Sequence, residues 1–283
     1  MKDKSLVNAL AVAVQAAKAA GKLMLANWHQ QKRVNFTDAH DIKLELDVRC
    51  QKLITRILRA AFPQISLLGE EGESGNVNAD YRWVVDPIDG TVNYAFGIPH
   101  AAVSIALQKR WGESRSSHDL KKQKLRLDGV SPHQNYQTLL GVIYDPFADE
   151  LWTVVRGGPT RLNGRVVRVS RRSQPGEAII AMGFSKSKTN LVKSLPYLNR
   201  ISRRALKVRV LGSAALELAY VASGRLDCYI ERTINLWDVA AGALMVEASG
   251  GEFYTRPAPR GKFRMCASNG LLRGKMQLDD FFK

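Results

Sequence analysis

An apolar run, Trp83-Val84-Val85, leads without a break into Asp86-Pro87-Ile88-Asp89-Gly90-Thr91. No other stretch restricts the fold so strongly. Asp86 and Asp89 repel each other across a short turn, while Pro87 fixes φ and removes a backbone donor, so the turn carries an electrostatic cost that ordinary loops avoid. A positive group between the two carboxylates would remove that cost. The apolar run reads as a short strand that delivers the pair, and the β-α-β-α succession of the second half means α/β layers around it.

Flanking patterns agree with such layers. Apolar positions at helical spacing predict a first helix over Ser5–Trp28 and a second over Val48–Ala61, ended by Pro63. Strands are expected over Ile65–Gly69, Trp83–Val85, Ala101–Arg110, Thr138–Asp145 and Glu150–Gly157, the last two forming a hairpin through Pro146. Between them, 112–137 is polar and basic and reads as a long insertion in a strand connection. The second half alternates strand and helix: a strand in EAIIAMGF, a helix from Lys188 to Arg200, a strand in LKVRVLG, a helix in SAALELAYVASG, a strand in LDCYIE and a helix from Leu236. Two strands, GEFY and FRMCAS, and a last helix close the chain. No repeats or low-complexity tracts interrupt it. We expect one domain over residues 1–283, with an N-terminal half to about 175 and a C-terminal half from about 176.

With 283 residues, 45% hydrophobic and 24% charged, the chain has the composition of a folded globular protein. The apolar opening is broken by Asn8, Gln15, Lys18 and Lys22, so we expect neither a membrane segment nor a signal peptide, and a cytoplasmic location. Cys50, Cys228 and Cys266 lack CxxC spacing, and the five histidines form no HxxxH pair, so a zinc site is not indicated. A bound metal would therefore have oxygen ligands, as magnesium, manganese or calcium do. The net charge of +16 suits anionic partners such as phosphorylated substrates or nucleic acid, although no RNP or zinc-finger motif accompanies it. Nucleic-acid binding is expected to be weak and non-specific.

Three acidic groups fall where strands end or helices begin: Glu70 with Glu71, Asp86 with Asp89, and Asp238. Each has a plain structural explanation, namely a solvated loop, turn formation, or the positive end of a helix. Together they describe a carboxylate pocket at the carboxyl edge of a sheet, where open α/β proteins place sites. Magnesium would compensate it while leaving room for substrate phosphate, and the Gly90 and Thr91 amides could donate to phosphate oxygens.

In this order, GEE (Gly69–Glu71), WVVDPIDGTVNY (Trp83–Tyr94) and LWDVAAGALMVEASGGEF (Leu236–Phe253) resemble the signature motifs of the inositol monophosphatase family. The resemblance extends from about Leu6 to the C-terminus. It implies a five-layered αβαβα sandwich of the inositol monophosphatase and fructose-1,6-bisphosphatase type, lithium-sensitive hydrolysis of a phosphate monoester with two or three magnesium ions, manganese as a possible substitute, and a homodimer. By position, it makes Glu70, Asp86 and the Ile88 carbonyl ligands of one ion, with Asp86, Asp89 and Asp238 holding a second. Glu70 would also support a third. One ion would activate a water and the other would stabilise the leaving oxygen, with Thr91 and Asp47 orienting that water. Asp89, Gly90, Thr91, Ala214, Glu231 and Asp238 would contact substrate, Glu231 through hydroxyls. The chain departs from the family at Leu44, where a threonine is common, and at Phe36, where no upstream lysine aligns; both bear on the third ion. DGTVNY is similar to the inositol phosphatase and fructose bisphosphatase branch, so a polyol phosphate is the expected substrate and fructose-1,6-bisphosphate the alternative. An RNA or transcription-complex binding role is the alternative of another class.

Overall fold

In the computed structural model, residues 3–31, 34–37, 42–76, 79–110, 136–184, 188–259 and 261–277 are described. Along Trp83-Val84-Val85 successive side chains point to opposite faces of a sheet, and all three are buried. A strand buried on both faces needs cover on both faces, and this requirement organises the fold.

The chain opens with α1 (Asp3–Ala26), β1 (Val34–Thr37), β2 (Ile42–Leu44) and α2 (Glu45–Ala61), then β3 (Ser66–Gly69), β4 (Gly72–Ser74), β5 (Tyr81–Asp89) and the short α3 (Thr91–Ala95). There follow β6 (Ala102–Arg110), β7 (Tyr136–Asp145), β8 (Glu150–Val155), β9 (Arg161–Leu162) and β10 (Arg165–Val166). These strands form an eight-stranded sheet in the order β10-β9-β8-β7-β6-β5-β3-β4, with β3 parallel to β5 and its other neighbours antiparallel. β1 and β2 pair as a separate ribbon.

After a 3-10 turn at Pro175–Glu177 come β11 (Ile179–Met182), α4 (Lys188–Ser202), β12 (Lys207–Arg209), α5 (Ala214–Ala222), β13 (Cys228–Ile234), α6 (Leu236–Ala248), β14 (Glu252–Pro257) and β15 (Phe263–Ser268). They build a five-stranded sheet ordered β12-β11-β13-β15-β14. β11 runs parallel to β12 and β13, whereas β15 is antiparallel to both its neighbours.

Three apolar clusters define five layers. One face of the large sheet, with Trp83, Val85, Ile105 and Val142, packs on Ala13, Ala17, Ala20 and Met24 of α1 and on Ile54 and Leu58 of α2. Its other face, with Val84, Ala106, Ile143 and Trp152, packs on α5 and α6, which meet Tyr229, Met265 and Ala267 of the small sheet across the layer. Ile180, Met182, Ile230 and Cys266, on the far side of that sheet, cover Ile201 of α4. The order is αβαβα. Ser5–Ala26 is long and apolar enough to cross a membrane by length and composition, but its alanine face is buried against the sheet.

Two expectations change. β5 does not stop at Val85 but continues through Pro87 to Asp89. The last helix is replaced by turns over residues 270–277, because Gly270 at φ +80° and Gln277 at φ +54° leave the helical region. Of the insertion at 112–137, only Tyr136 and Gln137 are among the described residues.

Candidate active site

Pro87 is tolerated inside β5 because the ladder skips there. Asp86 faces Ser104 and Asp89 faces Ala102, so three steps on β5 match two on β6, a bulge that leaves one residue unpaired. The bulge turns both aspartates toward the middle layer. Asp86 Oδ1 accepts the Ile88 amide at 3.1 Å. Gly90, at φ +94°, then starts α3; a Cβ there would lie 2.8 Å from the His100 carbonyl oxygen, so only glycine fits.

Asp89 is gripped from the middle layer. Its Oδ2 accepts the Ser213 hydroxyl and the Ala215 amide, each at 2.6 Å, at the start of α5. Ala214 lies between these two donors. Asp238, in the first turn of α6, accepts the Asn235 amide at 2.8 Å and its side-chain amide at 3.2 Å. One oxygen from each of Asp86, Asp89 and Asp238 lies within 4.8 Å of the others. The helix-end explanation of Asp238 is therefore true and incomplete, since the same carboxylate also faces two more.

Burial and mutual repulsion disfavour the charged forms. Burial, followed by Glu70, Asp89 and Asp238, holds Asp86 well above the usual carboxylate range. Burial, partly opposed by the Ser213 hydroxyl and the Ala215 amide, pushes Asp89 to about 6. Asp238 also reaches about 6, by burial and then by Asp89. Among the described residues the donors to Asp89 and Asp238 are amides, a hydroxyl and the Asp86 carboxyl, which bring no compensating positive charge. A buried all-oxygen set of this kind fits a hard cation and could hold one.

Asp47, in the first turn of α2, is the next carboxyl outward. Its Oδ2 accepts the Leu44 amide at 2.8 Å, and its Oδ1 lies 3.3 Å from Thr91 Oγ1. The Thr91 hydroxyl also reaches the Ile88 carbonyl at 2.9 Å, and its single proton serves one acceptor at a time. Burial is the main cause that brings Asp47 up to about 7, with Glu70 and Glu71 adding to it. Glu70 itself follows β3, its amide bonded to the Val85 carbonyl at 3.1 Å.

Glu231, on β13 of the small sheet, approaches from the opposite side. Tyr229 donates its hydroxyl to Glu231 Oε2. Burial raises the Glu231 carboxyl to about 8, and the charges of Asp238 and Asp89 add to this, which sets it beside the trio. The structure thus gathers Asp47, Glu70, Asp86, Ile88, Asp89, Gly90, Thr91, Ala214, Glu231 and Asp238 around one place. Sequence reasoning missed Ser213, Glu217 and Tyr229. Ser213 carried a signal, a hydroxyl residue directly before a helix, whereas the inward aim of Glu217 and Tyr229 depends on layer packing.

The Inositol monophosphatase family matches this chain over residues 5–113 and 133–274. Similar proteins include the Nus factor SuhB of Pseudomonas aeruginosa, 36% identical over 250 residues that span 86% of this chain and 83% of that protein. The Inositol-1-monophosphatase of Rhizobium meliloti is 35% identical over 246 residues, with coverages of 86% and 83%. Among solved structures, the extragenic suppressor protein suhB from Bartonella henselae superposes with a TM-score of 0.81 at 32% identity, covering 96% of this chain and 97% of that one.

Proposed function

We propose that this chain, which belongs to the inositol monophosphatase family, is a magnesium-dependent phosphatase of myo-inositol monophosphate or a related polyol phosphate. The observation that carries the reading is the trio of buried Asp86 and Asp89 with half-buried Asp238, with one oxygen of each within 4.8 Å of the others and no cationic side chain among the donors described to Asp89 and Asp238. In this reading the trio, with Glu70 and the Ile88 carbonyl, holds the ions. Magnesium, or manganese in its place, supplies a Lewis acid that activates water and stabilises a departing alkoxide.

The protein's own groups do the remaining work. Thr91 and Asp47 orient the attacking water, and Asp47, raised to about 7, is poised to exchange a proton near neutral pH. The Gly90 and Thr91 amides hold phosphate oxygens. The Ala214 backbone lies against the polyol, and Glu231 accepts from its hydroxyls. Asp89 ties the two halves of the site together, because the carboxylate that faces the ions also fixes the start of α5, where the polyol would rest.

The test is release of inorganic phosphate, with magnesium, from inositol, fructose, nucleotide and histidinol phosphates. We expect inositol monophosphate to be preferred, lithium to inhibit, and a chelator to abolish turnover. Turnover undiminished in chelator would sink the metal-dependent reading, and preference for fructose-1,6-bisphosphate would move the assignment to that alternative. A second reading, binding to RNA or a transcription complex, is favoured by the net charge of +16 and by relatives that are named Nus factors. A homodimer is the proposed assembly, to be checked by light scattering.

A further inference from the structure

Behind Glu231 lies a pair of groups that the proposed reaction leaves unused. Tyr229 and Glu231 are two apart on β13 and so share a face. Glu217, in α5, is 1% exposed, and its Oε1 accepts the Leu211 amide at 3.2 Å. The Tyr229 hydroxyl is hydrogen-bonded to both carboxyls. A phenol has one proton to give. That proton goes to Glu231 Oε2. Burial holds Glu217 well above the usual carboxylate range, with the charge of Glu231 adding to it and the Leu211 amide and the Tyr229 hydroxyl opposing it.

Gly183, just past β11, completes the cradle. A Cβ at this residue would lie 2.1 Å from Glu231 Oε2 and 3.0 Å from the Tyr229 hydroxyl oxygen, so the carboxylate rests directly on the main chain. Glu231 is therefore held by a phenol on one side and by backbone on the other.

We propose that Tyr229 is a positioning residue: its hydroxyl, with the main chain at Gly183, fixes Glu231 as an acceptor for substrate hydroxyls and so sets the preference for polyol phosphates. This rests on the reading of Glu231 given above. The same bonds could merely brace α5 against β13, and a brace would affect every substrate alike.

The experiment compares myo-inositol 1-phosphate with p-nitrophenyl phosphate, both with magnesium. Tyr229→Phe should raise KM for the inositol ester about tenfold, the worth of one buried hydrogen bond, while kcat/KM for the aryl ester stays within about twofold. Glu231→Gln should show the same split, and the double variant should lose no more than Glu231→Gln alone, because Tyr229 acts through Glu231. Gly183→Ala, which removes no hydrogen bond, should displace Glu231 and reproduce the split even if Tyr229→Phe folds poorly. A selective loss in Glu231→Gln without one in Tyr229→Phe overturns the positioning role and leaves the reading of Glu231 standing. Equal losses on both esters in Glu231→Gln overturn that reading and the proposal with it. Additive losses in the double variant also overturn the proposal.

Discussion

Asp238 shows what the site costs a single residue. Its side chain caps α6 through Asn235, yet it is raised to about 6 because it is half-buried and faces Asp89. A carboxyl whose folded value lies above its unfolded one makes the folded state bind protons more tightly. The associated stability is present below an unfolded value of 3.8 and is lost as pH rises through about 6 for Asp238 and Asp89 and about 7 for Asp47. Each group contributes on the order of 3–4 kcal/mol to that loss. Asp238→Asn keeps an oxygen for the Asn235 amide and removes one charge. In chelator, its Tm should exceed that of the wild type at pH 8 by more than at pH 5, while magnesium should raise the wild-type Tm most at pH 8. Its phosphatase activity should fall roughly a hundredfold or more, as expected for a lost metal ligand. Identical Tm differences at the two pH values would show that the carboxylates do not repel one another as placed. The aspartates were legible in the sequence because their proximity is written in a short motif. Ser213, which takes up Asp89 Oδ2 from 124 residues away, was not.

Among the elements, β5 and α2 depart most from simple sequence rules. Proline within a strand argues against a strand, yet β5 runs through Pro87 because the bulge opposite Ser104 and Ala102 asks nothing of the missing amide. The antiparallel partner that permits this lies beyond the motif, so the three-residue strand expected at Trp83–Val85 came out too short. At the start of α2, Leu44 occupies the cap position where the family commonly has threonine, and it offers no side-chain acceptor. The Asp47 carboxylate still binds the Leu44 amide, and the Leu44 side chain is 1% exposed within the α1–α2 cluster. The two effects can be weighed. Leu44→Thr would gain a cap of about 1 kcal/mol and lose buried aliphatic contact of roughly 2–3 kcal/mol. The variant should therefore be less stable by about 1–2 kcal/mol, a fall of a few degrees in Tm. A rise in Tm would mean that the cap outweighs the core at this position. Over residues 270–277 the expected final helix gives way to turns for a local reason, the positive φ of Gly270 and Gln277.

Across the whole molecule, the site draws on every inner layer: Asp86 and Asp89 from the large sheet, Ser213, Ala215 and Asp238 from the middle helices, and Glu231 from the small sheet. The basic insertion contributes none of these residues. Arg110 and Tyr136 are paired in register, so β6 and β7 could be joined by a two-residue turn. The family match omits 114–132, which agrees with an insertion outside the common fold. Replacing 112–134 by Asn-Gly would keep Tyr136, whose hydroxyl donates to the Ala79 carbonyl at 2.7 Å, and should leave magnesium-dependent phosphate release within about threefold. Charge decides what this does to RNA binding. The deleted segment carries Arg115, Lys121, Lys122, Lys124 and Arg126 against Glu113, Asp119 and Asp128, a net +2 of the chain's +16. If binding to RNA is non-specific and follows total charge, the slope of log affinity against log salt should change by no more than about 2, with affinity at low salt largely retained. Loss of nearly all RNA affinity in the trimmed protein would mean that the insertion is a dedicated RNA-binding element. Loss of phosphatase activity in a trimmed protein that still folds would mean instead that the insertion reaches the carboxylate trio, as a lid over its own site or across a dimer.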